Sequence, residues 1–215
     1  VYKYLAESWK GLIQGLVGWI DHGNYHVCVC FYPVKKDPAQ ISDKLIRKYR
    51  CDTEKTKRWR ARRNGLATFA FMAFGHKGYI MHTDGELPSY CNDQFQDVRL
   101  GPIRVTAGPS LVFTIKIEKD LAQNKEMAVV RLSERTVREI KGRLTRALRT
   151  GKKALVLEEY IKLDRIAAWS GVIDQKADIV RWLLGQARAS KVRLRRDELP
   201  FATFREIVPV YKQNH

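Results

Sequence analysis

The feature that most constrains this chain is the abrupt change at Asn64-Gly65. Before it lies a cationic segment, Lys55-Thr56-Lys57-Arg58-Trp59-Arg60-Ala61-Arg62-Arg63; after it comes a run from Leu66 to Phe74 that is apolar but for Thr68. A short, Phe-rich run bounded by Gly65 and Gly75 suits a strand better than a helix. Phe69 and Phe71 fall on one strand face, Ala70, Met72 and Phe74 on the other. A strand apolar on both faces is expected in the middle of a sheet, covered on each side. The loop Gly75-His76-Lys77-Gly78 is short enough to make a hairpin with Tyr79-Ile80-Met81-His82-Thr83. The cationic segment then reads as a basic arm feeding this hairpin. Trp59, set among the arginines, offers a face on which a base or a guanidinium can stack. The competing reading is a solvated charged helix whose one Trp packs into the core.

Charge narrows the function classes. Lys and Arg number 40 against 23 Asp and Glu, a formal net charge of +17 over 215 residues. Such an excess favours a polyanionic partner, nucleic acid first. No segment reaches the roughly 18 uninterrupted apolar residues of a spanning helix, and no membrane partner is expected. Val1-Tyr2-Lys3-Tyr4 carries no signal or lipidation pattern, so a cytoplasmic or nucleoid-associated protein is expected. Cys28, Cys30, Cys51 and Cys91 form no paired Cys-x-x-Cys knuckles and read as reduced, small hydrophobes.

The rest of the chain supplies the fold expectation. Leu5, Trp9, Leu12, Ile13, Leu16, Val17 and Ile20 share one stripe of a helix over residues 4–21, with Gly11, Gly15 and Gly18 weakening it. Tyr25 to Tyr32 is a strand, and Asp37-Pro38 opens a helix to about Arg50. Residues 87–101 read as a loop, and 103–106, 111–117 and 127–132 as strands. Ser133 caps a helix to Arg149. On it Val137, Ile140, Leu144, Ala147 and Leu148 oppose an arc of Arg135, Arg138, Arg143, Arg146 and Arg149. Helices over about 154–166 and 174–189 follow, then a basic run with strand-like alternation holding Arg193, Arg195 and Arg196. The expected fold is α+β: a ferredoxin-like mixed sheet with an N-terminal helix and a C-terminal helical extension, divided into 1–132 and 133–215.

Two motif comparisons assign no family. The signature strand of RNA-recognition modules needs stacking aromatics where Leu66 and Thr68 stand. Rolling-circle initiators need a His-apolar-His strand, and Cys28 stands where the second His would follow His26.

The expected function is therefore non-catalytic nucleic-acid binding, DNA favoured over RNA, of a kind used in replication, recombination or by a mobile element. The expected contacts are Lys57, Arg58, Trp59, Arg60, Arg62, Arg63, Arg135, Arg138, Arg143, Arg146, Arg149, Arg193, Arg195 and Arg196, with no cofactor. One alternative is a metal-dependent nuclease holding Mg or Mn through His76, His82, Asp84 and Glu86. Another is an interaction protein for an acidic partner.

Overall fold

The structure, a computed structural model, describes residues 3–120, 124–202 and 207–212. It is an α+β chain with six helices and two antiparallel sheets among the described residues. Two compact units emerge. One is built from Val1–Ile103, Lys116–Ala128 and Val208–His215, the other from Arg104–Ile115 and Val129–Ile207. The boundary expected at 132/133 falls inside the second unit, because each unit draws on segments far apart in the chain. No helix among the described residues is long and apolar enough to cross a membrane.

In the first unit, α1 (Trp9–Asp21) is followed by β1 (His26–Phe31), α2 (Pro38–Tyr49), α3 (Lys55–Arg63), β2 (Phe69–Phe74), β3 (Lys77–His82) and the short β4 (Gln96–Asp97). The sheet runs β2-β3-β1-β4, and each neighbouring pair is antiparallel. The expected mixed sheet is thus corrected. The β2–β3 hairpin inserts β3 between β2 and β1, so the helical crossover from β1 to β2 leaves no parallel neighbours. Register places His26, Cys28 and Cys30 of β1 beside His82, Ile80 and Gly78 of β3. Phe69, Phe71 and Ala73 of β2 follow on the same face. There they meet Ile46 and Tyr49 of α2 in one core cluster. The opposite face takes α1, whose Gly15 lies against Met72.

The expectation that Leu66–Phe74 is central also needs correcting. β2 begins at Phe69 and is the outermost strand of the named sheet. It is nonetheless sequestered. The Ala6 amide donates to the Ala73 carbonyl at 2.8 Å, and the Ala73 amide to the Tyr4 carbonyl at 2.9 Å. Lys212 in turn donates to the Leu5 carbonyl at 3.0 Å. Chain-terminal segments close the edge that hydrogen-bonding demands would otherwise leave open. Leu5 serves here rather than in a helix, and α1 starts four residues later on a Ser8 cap.

β5 (Ile103–Gly108), β6 (Leu111–Asp120) and β7 (Lys125–Leu132) form the second sheet in that order. The second unit adds α4 (Glu134–Arg149), α5 (Lys153–Asp164) and α6 (Ser170–Ala189). Ser133 Oγ accepts from the Thr136 amide at 3.2 Å, the expected cap of α4. Ile140, Leu144 and Leu148 of α4 are buried, as are Val156 and Leu163 of α5 and Val172, Ile179 and Leu183 of α6. The basic run after α6 is not a strand. Residues 192–195 are irregular and lead into a short 3₁₀ turn, Arg196–Glu198.

Candidate nucleic-acid interface

The cationic segment is a helix, α3, rather than an extended arm, and none of its residues is buried. Two arginines one turn apart fasten it to its unit. The Arg58 guanidinium lies over the Trp19 ring of α1 at 5.5 Å. Arg62 Nε donates to Thr68 Oγ1 at 2.8 Å. That hydroxyl lies 3.3 Å from Thr83 Oγ1, which accepts from the Thr68 amide at 3.0 Å. The single polar residue of the apolar run is thus the anchor point of the helix before it. Desolvation, followed by the charge of Arg58, holds the Arg62 pKa below its ordinary value.

With Arg58 and Arg62 marking the docked side, a period of about 3.6 residues puts Trp59, Arg60, Arg63 and Lys57 on the remaining arc. Trp59 is 57% exposed, and the Arg63 guanidinium lies over its ring at 5.3 Å. Of the competing reading, the charged helix holds and the core Trp does not. Among the described residues Arg60 and Arg63 enter no ion pair, and Lys57 reaches only Glu54 at 3.8 Å.

In the second unit, α4 carries its arginines as expected, on the side opposite Ile140 and Leu144. Arg135 pairs with Glu139 at 2.8 Å and Arg143 approaches Glu159 at 3.4 Å. Arg138, Arg146 and Arg149 are exposed and enter no ion pair among the described residues. Arg135, Arg138, Glu139, Gly142, Arg143 and Arg146 line an open groove along this helix. The C-terminal arginines are more occupied. Arg195 reaches Asp197 at 3.3 Å, while Arg196 donates to the Leu199 carbonyl at 2.7 Å and lies over Phe201. Arg193 is exposed.

The four residues of the nuclease alternative do not come together. His76 lies in the turn before β3 and His82 at its far end, about 20 Å along the strand. Glu86 is held by its backbone beside Gly65 and Ala67, its carbonyl accepting from the Ala67 amide at 3.0 Å. The intervening Gly85 has φ +133°, and a Cβ there would sit 2.6 Å from the Ala67 nitrogen, so only glycine fits. Asp84 is already engaged. Arg99 Nη1 and Nη2 donate to its carboxylate at 2.9 and 2.8 Å, and His26 Nε2 donates to Asp84 Oδ1 at 2.8 Å. Arg99 also grips Asp97 through Nε and Nη2, and its guanidinium lies over Tyr25 at 4.4 Å. His26 and His82 stack with ring centroids 4.4 Å apart. His82 is buried, and its Nδ1 donates to the Thr83 carbonyl at 2.8 Å. No group of three or more His, Cys, Asp or Glu among the described residues is placed to hold a metal ion.

Asp97 and Arg99 carry no signal in the sequence, and His26 stands out there only as the one histidine of its strand. His26 and Asp84 are 58 residues apart and meet only through strand register. Compared with family models, with curated proteins and with solved structures, the chain matches none.

Proposed function

We propose that this protein binds nucleic acid, DNA in preference to RNA, without cleaving it. The observation that carries the reading is α3: six cations in nine residues, no buried residue, and among the described residues one carboxylate in an ion pair with it, Glu54. A structural helix would bury an apolar stripe. One that spends two arginines on docking and leaves Arg60, Arg63 and Lys57 outward fits a phosphate backbone. The arginine groove of α4 supports the same reading in the other unit. The sheet order β4-β1-β3-β2, with α2 crossing from β1 to β2, supports a ferredoxin-like plan for the first unit. It departs from that plan in lacking a helix before β4 and in having α1 on the second face. RNA-recognition modules read bases on an open sheet face. Here α1 and α2 cover both faces, which favours DNA held on helices.

The test is fluorescence anisotropy with labelled DNA and RNA at several salt concentrations. Replacing Arg60 and Arg63 with Ala should weaken DNA binding more than about tenfold and flatten the log–log salt slope by about two units. An unchanged slope means that α3 is only solvated surface.

A further inference from the structure

We infer that the outer arc of α3 holds an unpaired base, with Trp59 as the stacking face, so that this helix takes single-stranded DNA in preference to duplex. The inference rests on the nucleic-acid reading and specifies its substrate.

The position of Trp59 has no packing explanation. An indole is the largest apolar side chain available, and burying one ordinarily stabilises a core. Yet no residue of α3 is buried, and this ring stays more than half exposed in the middle of it. What surrounds the ring is charge. Arg63 lies against it at 5.3 Å, Arg60 follows it in sequence, and neither arginine has an acidic partner among the described residues. A planar ring flanked by free cations is the combination that takes a base on the ring and its phosphates on the arginines. Duplex DNA presents phosphates and base edges but keeps its base faces stacked. Only an unpaired nucleotide offers the π-face that Trp59 could use.

The anchoring of α3 strengthens the point. Arg58 on Trp19 and Arg62 on Thr68 fix the helix from its other side, so the ring is presented from a positioned backbone rather than from a mobile arm. The α4 groove provides the contrast. Its lining of arginines, Glu139 and Gly142 contains no aromatic ring, so it grips phosphate whether the bases are paired or not. Each helix thus has its own character: α3 selects unpaired bases, and α4 holds phosphate without selection.

The experiment uses the full chain, a labelled oligothymidylate of about 16 nucleotides and a hairpin duplex carrying the same number of phosphates. The wild type should prefer the oligothymidylate. Trp59→Ala and Trp59→Leu should each weaken it about tenfold and leave the duplex nearly unaffected. The salt slope should not change, because no phosphate contact is lost. Trp59→Phe should retain most of the affinity, which separates stacking from bulk. Reversal of Arg138 and Arg146 to Glu should weaken both DNA forms alike and flatten both slopes. If the Trp59 variants bind the oligothymidylate as the wild type does, or weaken both forms equally, the inference is wrong. A wild type that binds duplex but not single strand overturns it while leaving the nucleic-acid reading intact. A wild type that binds neither overturns both.

Discussion

Arg99 shows what a single residue does to the electrostatics of the first unit. Its hydrogen bonds hold the Asp84 and Asp97 carboxyls below the usual carboxylate pKa of 3.8. Burial acts on His82 in the opposite chemical sense, disfavouring the imidazolium and lowering its pKa from 6.5. All three folded-state values are depressed, so each group favours the fold above its unfolded value, and that advantage is lost as pH falls through the folded one. Acid should therefore destabilise the protein in two stages, one beginning below about pH 6.5 and one below about pH 3.8. Urea unfolding across this range should show that Arg99→Gln removes the second stage. It should also cost about 1 kcal/mol at neutral pH, a small figure because Asp84 is largely exposed and screened. His82→Phe should remove the first stage. A wild-type pH profile retained in Arg99→Gln would mean that the fork contributes nothing to stability.

At the scale of elements, α1 and α4 illustrate opposite relations between sequence and packing. The glycines of α1 lower its helix propensity, and the sequence alone makes them a weakness. In the structure two of them, Gly11 and Gly15, are close-approach points, while Gly18 faces open space. A Cβ on Gly11 would lie 2.6 Å from the Pro209 carbonyl oxygen, and one on Gly15 would lie 2.3 Å from Met72 Cε and 2.9 Å from Val210 Cγ1. One face of the helix therefore lies tight against both β2 and the 208–210 segment. In α4 the pattern and the packing agree. Ile140, Leu144, Ala147 and Leu148 are buried at helical spacing with Val137 half-buried beside them, and Arg135, Arg138, Arg146 and Arg149 lie outside. Since Arg138 and Arg146 are exposed and unpaired, reversing both to Glu should leave the melting temperature within about 2 °C of wild type. A larger drop would mean that these arginines hold the helix in place and are not free for a ligand.

For the whole molecule, a net charge of +17 guarantees some attraction to any polyanion, so affinity alone does not distinguish a nucleic-acid binder from a partner of acidic proteins. Geometry does. If the spacing of phosphates and the stacking of bases matter, polyglutamate should compete with labelled DNA at least about tenfold less well than an oligonucleotide of equal charge. Equal competition would favour the acidic-protein partner instead. The sequence by itself determined the charge, the hairpin, the capped and two-sided α4 and the α+β class, because these follow from spacing and composition within short windows. It also singled out Lys55–Arg63 as the cationic centre. Only the tertiary structure decided that this segment is a helix, that Arg58 and Arg62 are spent on Trp19 and Thr68, and that Trp59 and Arg63 are left outward. It alone set β2 at the sheet edge under the chain termini, separated His76 from His82, and joined His26 to Asp84 and Arg99. The physical reason is common to all of these. They depend on which strand lies beside which and on where a hydroxyl or carboxylate finds its donor, and whether those partners lie six residues away, as Arg62 and Thr68 do, or 58, as His26 and Asp84 do, spacing along the chain does not say which will meet.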